Sequence, residues 1–265
     1  MISYDFSGKI VLVTASSRGI GFGIAKAFHG AGAKVVINSR NISNLKKAEK
    51  TLSSIDSSRV YAVSGDISQY DFLQSLVLKV ENHFNDKIDI LVNNSGGPPA
   101  GEAMGFSDDD WKGAIDNNLL STIRLTSLVT IGMKHKGWGR VVNLTSLLAK
   151  EPAVGMVLSN VTRAGVAAYS KTISKELGRF GITVNTILTG GCLTERFYSL
   201  AEKQIEQTKE TLEEAIERMQ KNVPVQHIST PEEFAQAILF LSSDSASYIT
   251  GTSIPIDGGN SNSTY

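Results

Sequence analysis

Hydrophobic positions along this chain fall into two alternating textures. Short runs rich in β-branched residues occur at 9–14 (KIVLVT), 34–38 (KVVIN), 59–63 (RVYAV), 88–92 (IDILV), 140–144 (RVVNL), 182–188 (ITVNTIL) and 253–256 (SIPI). Continuous apolar runs of this length predict strands buried on both faces. Between them, segments 19–30, 42–54, 69–84, 108–135, 157–179 and 231–243 carry apolar residues at helical spacing. Strand and helix alternate throughout, which predicts an α/β protein with a parallel sheet covered by helices on both faces. No repeat, low-complexity tract or Pro/Gly/Ser linker interrupts the alternation, so residues 1–265 are expected to form one domain. Segment 195–222 departs from the pattern: it is highly charged, with Leu200, Ile205, Leu212, Ile216 and Met219 at roughly helical intervals. It predicts an inserted amphipathic helix or helix pair, either a solvated face or a cover over a substrate.

Composition narrows the function classes. The 26 Lys and Arg residues balance 26 Asp and Glu, so no global positive field recruits nucleic acid. With 41% hydrophobic residues, the chain can bury a sizeable core. Its single cysteine, Cys192, forms neither an intrachain disulfide nor a zinc cluster, which fits a reducing compartment. The N-terminus carries Asp5 and lacks an apolar signal core, and no stretch reaches the ~20 apolar residues of a membrane span. A cytoplasmic protein is expected.

The first strand leads directly into Thr14, Ala15, Ser16, Ser17, Arg18, Gly19, Ile20 and Gly21, and then into a helical run. Strand, glycine turn and helix in this order aim free backbone N–H groups at a phosphate and let a diphosphate approach closely. TASSRGIG resembles the Thr-Gly-x-x-x-Gly-x-Gly fingerprint of the classical short-chain dehydrogenase/reductase family, and further likenesses run nearly the whole chain. NNSGG at 93–97, with Asn93, Ser95 and Gly96, resembles the segment after the family's fourth strand. Asp66 and Ile67 resemble its adenine-contacting position, and Asn118, seven residues after Trp111, resembles its helix asparagine. GRVVNLTS at 139–146, ITVNTILTGG at 182–191 with Gly190, Thr194 beyond it, and the ending at 230–259 continue the likeness, which is 3-oxoacyl-ACP reductase-like. The resemblance implies a doubly wound Rossmann fold with a seven-stranded parallel sheet and a nicotinamide cofactor. Ala15 departs from the fingerprint, at a cost of about 1 kcal/mol if its φ is positive. Thr189 stands in place of the usual proline. An acidic residue ending the second strand would suit NAD(H), but here Ser39 and Arg40 stand there with Arg18 nearby and no carboxylate opposing them in the local sequence. NADP(H) is therefore expected over NAD(H).

The resemblance implies chemistry by a serine, a tyrosine, a lysine and an asparagine, the Tyr-x-x-x-Lys pair sharing one helical face. Asn118 and Ser146 match. Counting thirteen residues on from Ser146, the tyrosine position is Ser159 and the lysine position is Arg163. A serine hydroxyl cannot assume a phenol's acid–base duty near neutral pH, and Arg163 is a permanent cation that binds ribose or stabilises negative charge without shuttling a proton. Tyr169 lies ten residues past Ser159, roughly 15 Å along the helix and on another face, so it is not a substitute. Tyr198, His227, Lys150 and Glu151 could turn inward, although packing or surface roles account for them more simply. Cys192 reads as a small buried side chain, and Asp108, Asp109 and Asp110 read as a charged helix N-terminus rather than a metal site.

Two functions follow. One is an oxidoreductase moving hydride between NADP(H) and a small carbonyl or alcohol substrate, with Ser146, Ser159 and Asn118 on the reacting oxygen and Arg163 on the nicotinamide ribose and developing alkoxide. The other is a non-catalytic NADP(H)-binding or regulatory protein that has lost the Tyr-x-x-x-Lys pair; a dinucleotide-free scaffold is disfavoured. The resemblance further implies a homotetramer or homodimer packed through 108–135 and 157–179, with no nucleic acid or membrane partner.

Overall fold

The computed structural model describes residues 3–205 and 210–264. Its strands are β1 (Ile10–Val13), β2 (Lys34–Ser39), β3 (Val60–Ser64), β4 (Ile90–Asn93), β5 (Gly139–Leu144), β6 (Ile182–Thr189) and β7 (Ser253–Ile256). All neighbouring strands run parallel, in the order β3-β2-β1-β4-β5-β6-β7, within one seven-stranded sheet. The chain winds outward from β1 to β3 and then crosses to β4, so winding reverses between β1 and β4. Such a switch point leaves a crevice at the carboxyl ends of the strands, where α/β folds bind their ligands.

Alternation along each strand supplies both cores. Val11 and Val13 point with Val35, Ile37, Ile90 and Val92 to one face, whereas Ile10 and Leu12 join Val36 and Leu91 on the other. The first face is covered by α1 (Gly19–Gly30), α2 (Ile42–Asp56) and a late helix, Pro231–Ser242, through Ile24, Phe28, Leu45, Leu52, Phe234 and Ile238. The second is covered by α3 (Tyr70–Phe84) and by helices at Ser121–Lys136 and Val157–Leu177, through Leu73, Leu76, Val80, Leu125, Met133 and Leu177. Each of these large apolar side chains contributes roughly 1.5–3 kcal/mol when fully buried.

The region 108–135, expected as one helix, is divided. It comprises α4 (Asp108–Ile115), a π-helical turn at Asp116–Leu120 and α5 (Ser121–Lys136). Ser107 caps α4 and is capped in return by Asp110, while Asp108 and Asp109 face Lys112 one turn on, so the acidic run serves the helix N-terminus. After α6 (Val157–Leu177), the charged segment forms a helix pair, α7 (Glu195–Ile205) and α8 (Leu212–Lys221), packed together. Residues 206–209 of the segment and the side chain of Leu200 lie outside the described residues. The fully buried members of the pair are alanines, Ala201 and Ala215, while Ile205, Leu212, Ile216 and Met219 are half-buried. The Pro231–Ser242 helix, α9, is capped by Thr230 and Glu233. Among the described residues, no helix is long and apolar enough to cross a membrane.

Candidate active site

The crevice begins where β1 and β4 end side by side. Thr14 Oγ1 donates to the Asn94 carbonyl at 2.6 Å and accepts from the Asn94 N–H at 2.8 Å, while Asn94 Nδ2 donates to the Ala15 carbonyl at 3.1 Å. This stitching fixes the turn that follows β1. No local pattern marks Asn94, because its role depends on a contact eighty residues away in the chain. The turn is tight: a Cβ on Gly21 would lie 2.6 Å from both Ala15 O and Asn94 Nδ2, so only glycine fits. Gly19 has φ +58, and Ala15 holds φ 45, a left-handed conformation with a Cβ present.

Helix α1 has no side-chain cap, in contrast to α2, α4, α8 and α9, and, like α2, carries no acidic residue in its first turn. The N–H groups of Gly19, Ile20 and Gly21, which no helical carbonyl can reach, therefore remain available to an anion. Ser16 does not join them. Its N–H donates to Asn38 O and its hydroxyl to Val13 O, so it shapes the turn from inside and presents nothing to a ligand. Ser17 instead bridges to Ser39 at 2.9 Å, joining the turn to the end of β2. Asn93 is also inward: its amide donates to Thr126 Oγ1 and Asn143 Oδ1, and Asn143 in turn donates to Ser170. This buried amide chain ties β4, β5, α5 and α6 together beneath the crevice. Ile67 is core, packed near Thr14 and Asn94.

The expected absence of opposing carboxylates is corrected by tertiary structure. Arg18 forms an ion pair with Glu195 at the start of α7, and Arg40 reaches Asp66 at 3.4 Å. Both partners are far away in sequence, so no local pattern reveals them. Burial would raise the Asp66 carboxyl, but hydrogen bonds from Ser68 and the Arg40 charge outweigh it and hold it below the ordinary carboxylate range. Both arginines are exposed, so these pairs are weak and exchangeable.

At the other end of the crevice, Ser146 ends the β5 region and caps a short 3-10 turn at Leu147–Ala149, against which α6 packs. Ser159 and Arg163 lie one helical turn apart on α6, both buried. Arg163 Nη1 donates to Leu144 O at 3.1 Å, which holds the guanidinium at the carboxyl end of β5. Its Nε is buried without a partner, and among the described residues no carboxylate lies within 4.0 Å of the group. Burial, and then the nearby charge of Arg196, pull Arg163 down to about 10. Asn118 sits within the π-helical turn, 1% exposed, donating to Gly96 O at 2.7 Å and Ser95 Oγ at 2.8 Å, while its Oδ1 has no partner. A π turn inserts one extra residue and re-aims a side chain, a device found at functional sites. Gly165 makes room for that turn, because a Cβ there would press on Leu119 at 3.1 Å.

The remaining candidates take structural roles. Tyr169 donates its hydroxyl to Ile123 O at 3.3 Å, away from Ser159. Tyr198 stacks edge-on against Phe197 at the surface, and His227 faces Glu233 at 3.0 Å. Lys150 is half-buried just past the 3-10 turn, and Glu151 turns to the C-terminal segment, accepting from Ser261 and from the Ser263 N–H. Burial pushes the Cys192 thiol up to about 11, so it is not a nucleophile. Thr194 caps α7 and packs its methyl against Gly19; Thr189 donates to Thr145 O at 2.9 Å, and Gly190 packs on Asp257.

The unfilled donors of the glycine turn and two orphaned polar atoms beside the crevice, Arg163 Nε and Asn118 Oδ1, suit a dinucleotide with its diphosphate at α1 and its nicotinamide near Arg163. Comparison with known proteins agrees in family. Residues 14–261 match the protein-family model described as Enoyl-(Acyl carrier protein) reductase. The 3-oxoacyl-(acyl-carrier-protein) reductase of Chlamydia muridarum is 36% identical over 251 residues, covering 95% of this chain and 96% of that protein. The acetoacetyl-CoA reductase of Shinella zoogloeoides is 32% identical, covering 95% and 98%. The L-sorbose reductase from Gluconobacter frateurii, solved with NADPH and L-sorbose, superposes with a TM-score of 0.93 at 28% identity, covering 99% and 100%. With its doubly wound sheet, glycine turn and these relatives, the chain belongs to the short-chain dehydrogenase/reductase family and is an oxidoreductase of the NAD(P)-dependent kind.

Proposed function

We propose that this protein interconverts a small carbonyl compound and its alcohol with NADP(H), through a centre in which a buried arginine replaces the usual lysine and a serine the usual tyrosine. The observation that carries this reading is the uncompensated Arg163 guanidinium at the end of β5, one helical turn from Ser159 and beside the Ser146 turn. When bound, the nicotinamide supplies or accepts the hydride. Ser146 and Ser159 donate hydrogen bonds to the reacting oxygen. Arg163 stabilises the negative charge that grows on that oxygen and holds the nicotinamide ribose. Asn118 Oδ1, free to accept, holds a water that exchanges the proton, because neither hydroxyl ionises readily enough to do so.

Gly19, Ile20 and Gly21, with Thr194 and Gly190, form the phosphate and nicotinamide side of the same reading, while Thr14 and Ser16 shape the turn from within. Ser17, Arg18, Ser39 and Arg40 form the adenosine end, where a 2′-phosphate draws the arginines away from Glu195 and Asp66 and favours NADP(H). NADPH in the L-sorbose reductase structure supports that choice. Residues 1–265 then act as one catalytic domain, with α7 and α8 covering the substrate side. Exposed Ile131 on α5 and Val161 on α6 fit a homodimer or homotetramer packed through those helices. A cytoplasmic location completes the reading, in keeping with one unpaired cysteine.

Purified protein is expected to oxidise NADPH with some member of a ketone and aldehyde panel, and Arg163→Ala to lower kcat by roughly 100-fold with a smaller change in NADPH Kd. NADPH binding without turnover across the panel would instead identify a non-catalytic nucleotide-binding protein. Activity created in such a parent by Ser159→Tyr with Arg163→Lys would locate the missing chemistry.

A further inference from the structure

Beyond β7 the chain joins three parts of the crevice that lie far apart in sequence. It leaves the sheet beside Gly190, whose N–H donates to Ile256 O at 2.9 Å. It then meets the turn that follows α8. There the Val225 N–H donates to Gly258 O at 3.2 Å, and a Cβ on Gly258, φ +65, would lie 2.6 Å from the side chains of both Val223 and Val225. The Val223 N–H is bound in turn to Gln220 O in the last turn of α8, so the contact reaches that helix. Asp257 bends the segment by accepting from the Gly259 N–H at 3.0 Å and the Ser261 N–H at 2.7 Å. That bend delivers residues 261–263 to Glu151.

Glu151 is tied at both its ends. Its Oε1 accepts from Ser261 Oγ and from the Ser263 N–H at 2.8 Å, and the Asn262 N–H favours the same charged carboxylate. Bonds to an ionised acceptor are stronger than those between neutral groups, and a chain end that lacks such an anchor frays. The Glu151 N–H donates to Leu147 O at 2.8 Å, inside the 3-10 turn that Ser146 caps. One residue therefore fastens the end of the chain to the turn carrying Ser146, while the same segment holds the turn after α8.

We propose that Glu151 is a positioning residue for the reaction: by holding the C-terminal segment 257–263, it keeps α8, which covers the substrate side, in register with Ser146. It acts through the Ser146 turn and α8, and touches neither substrate nor cofactor. The inference rests on the reductase reading above. Small misplacements at a reacting centre are costly, so a clamp remote from the chemistry is read in the kinetics of the substrate.

The test compares Glu151→Ala, Glu151→Gln and a chain ending at Asn260 with the parent protein. On the ketone or aldehyde that the parent reduces, Glu151→Ala is expected to lower kcat/KM about ten-fold, mainly through KM, with the NADPH Kd within about two-fold of the parent. Glu151→Gln is expected to recover part of the loss, because its amide oxygen still accepts. The shortened chain is expected to match Glu151→Ala, and the two changes together to cost no more than either alone, since each removes the same contact. In amide exchange, Lys150, bound to Leu147 O, and Val225, bound to Gly258 O, are expected to lose protection together in each variant. Additive losses in the double change would overturn the inference. So would faster exchange with KM unchanged, which would leave Glu151 a purely structural clamp, or an equal weakening of NADPH and substrate. Joint loss of protection in a protein inert across the panel would leave the clamp standing and remove the reductase reading. Turnover with exchange and KM both unchanged in the variants would do the reverse.

Discussion

At position 15 a methyl group occupies a backbone conformation that glycine adopts freely, φ 45 within the phosphate turn. A left-handed residue with a Cβ costs about 1–2 kcal/mol, partly offset by the smaller unfolded-state entropy of alanine. Ala15→Gly is therefore expected to stabilise the protein by about 0.5–1 kcal/mol, read from the midpoint of urea unfolding. A loss of stability would show that the methyl makes packing contacts that outweigh the strain. The fingerprint was recognisable despite this substitution, because Gly19 and Gly21 hold the positions where space or φ is decisive. Arg163 and Ser159 were equally legible, since their register follows from counting along one helix. Their electrostatic setting was not. Whether an arginine is paired depends on side chains brought in by folding, as Glu195 reaching Arg18 and Asp66 reaching Arg40 demonstrate.

Among the elements, helix spacing located α1, α2, α3, α6 and α9 closely, but it concealed the π-helical turn inside 108–135. One inserted residue leaves the apolar periodicity nearly intact while redirecting Asn118 toward Gly96. The C-terminal segment was equally hidden. Glu151, just beyond the Ser146 turn, binds Ser261 and Ser263, and these hydrogen bonds hold its carboxyl below its ordinary value of 4.5. Because the folded value is depressed, this contact contributes stability above pH 4.5 and loses it as pH falls through the folded value. Amide exchange at Ser263, whose N–H donates to Glu151, is expected to accelerate in that acid range beyond the intrinsic pH dependence, and Glu151→Gln to show faster exchange already at pH 7. Unchanged protection in the variant would mean that other contacts hold the segment.

For the whole molecule, the crevice is assembled from both halves of the winding, with Thr14 and Asn94 at the switch point and α7 contributing Glu195 and Arg196 from far along the chain. A ligand that binds only this assembled state stabilises it by about 2.7 kcal/mol at 100 times its Kd. For a chain of this size that corresponds to a rise in Tm of roughly 5–10 °C. NADPH is expected to produce such a shift, and NADH at the same concentration a smaller one. Equal shifts would remove the role assigned to Arg18 and Arg40.

The sequence by itself determined the order of elements, the parallel sheet, the glycine turn after β1 and the identities of Ser146, Ser159 and Arg163, because these depend on local periodicity and on spacing along single elements. Tertiary structure alone decided which N–H groups of the turn remain unfilled, that Ser16 and Asn93 face inward, that Arg18 and Arg40 have acidic partners, and that Arg163 has none among the described residues. Hydrogen bonds and charges saturate with whatever folding brings within a few ångströms, and those neighbours lie tens to hundreds of residues apart in the chain.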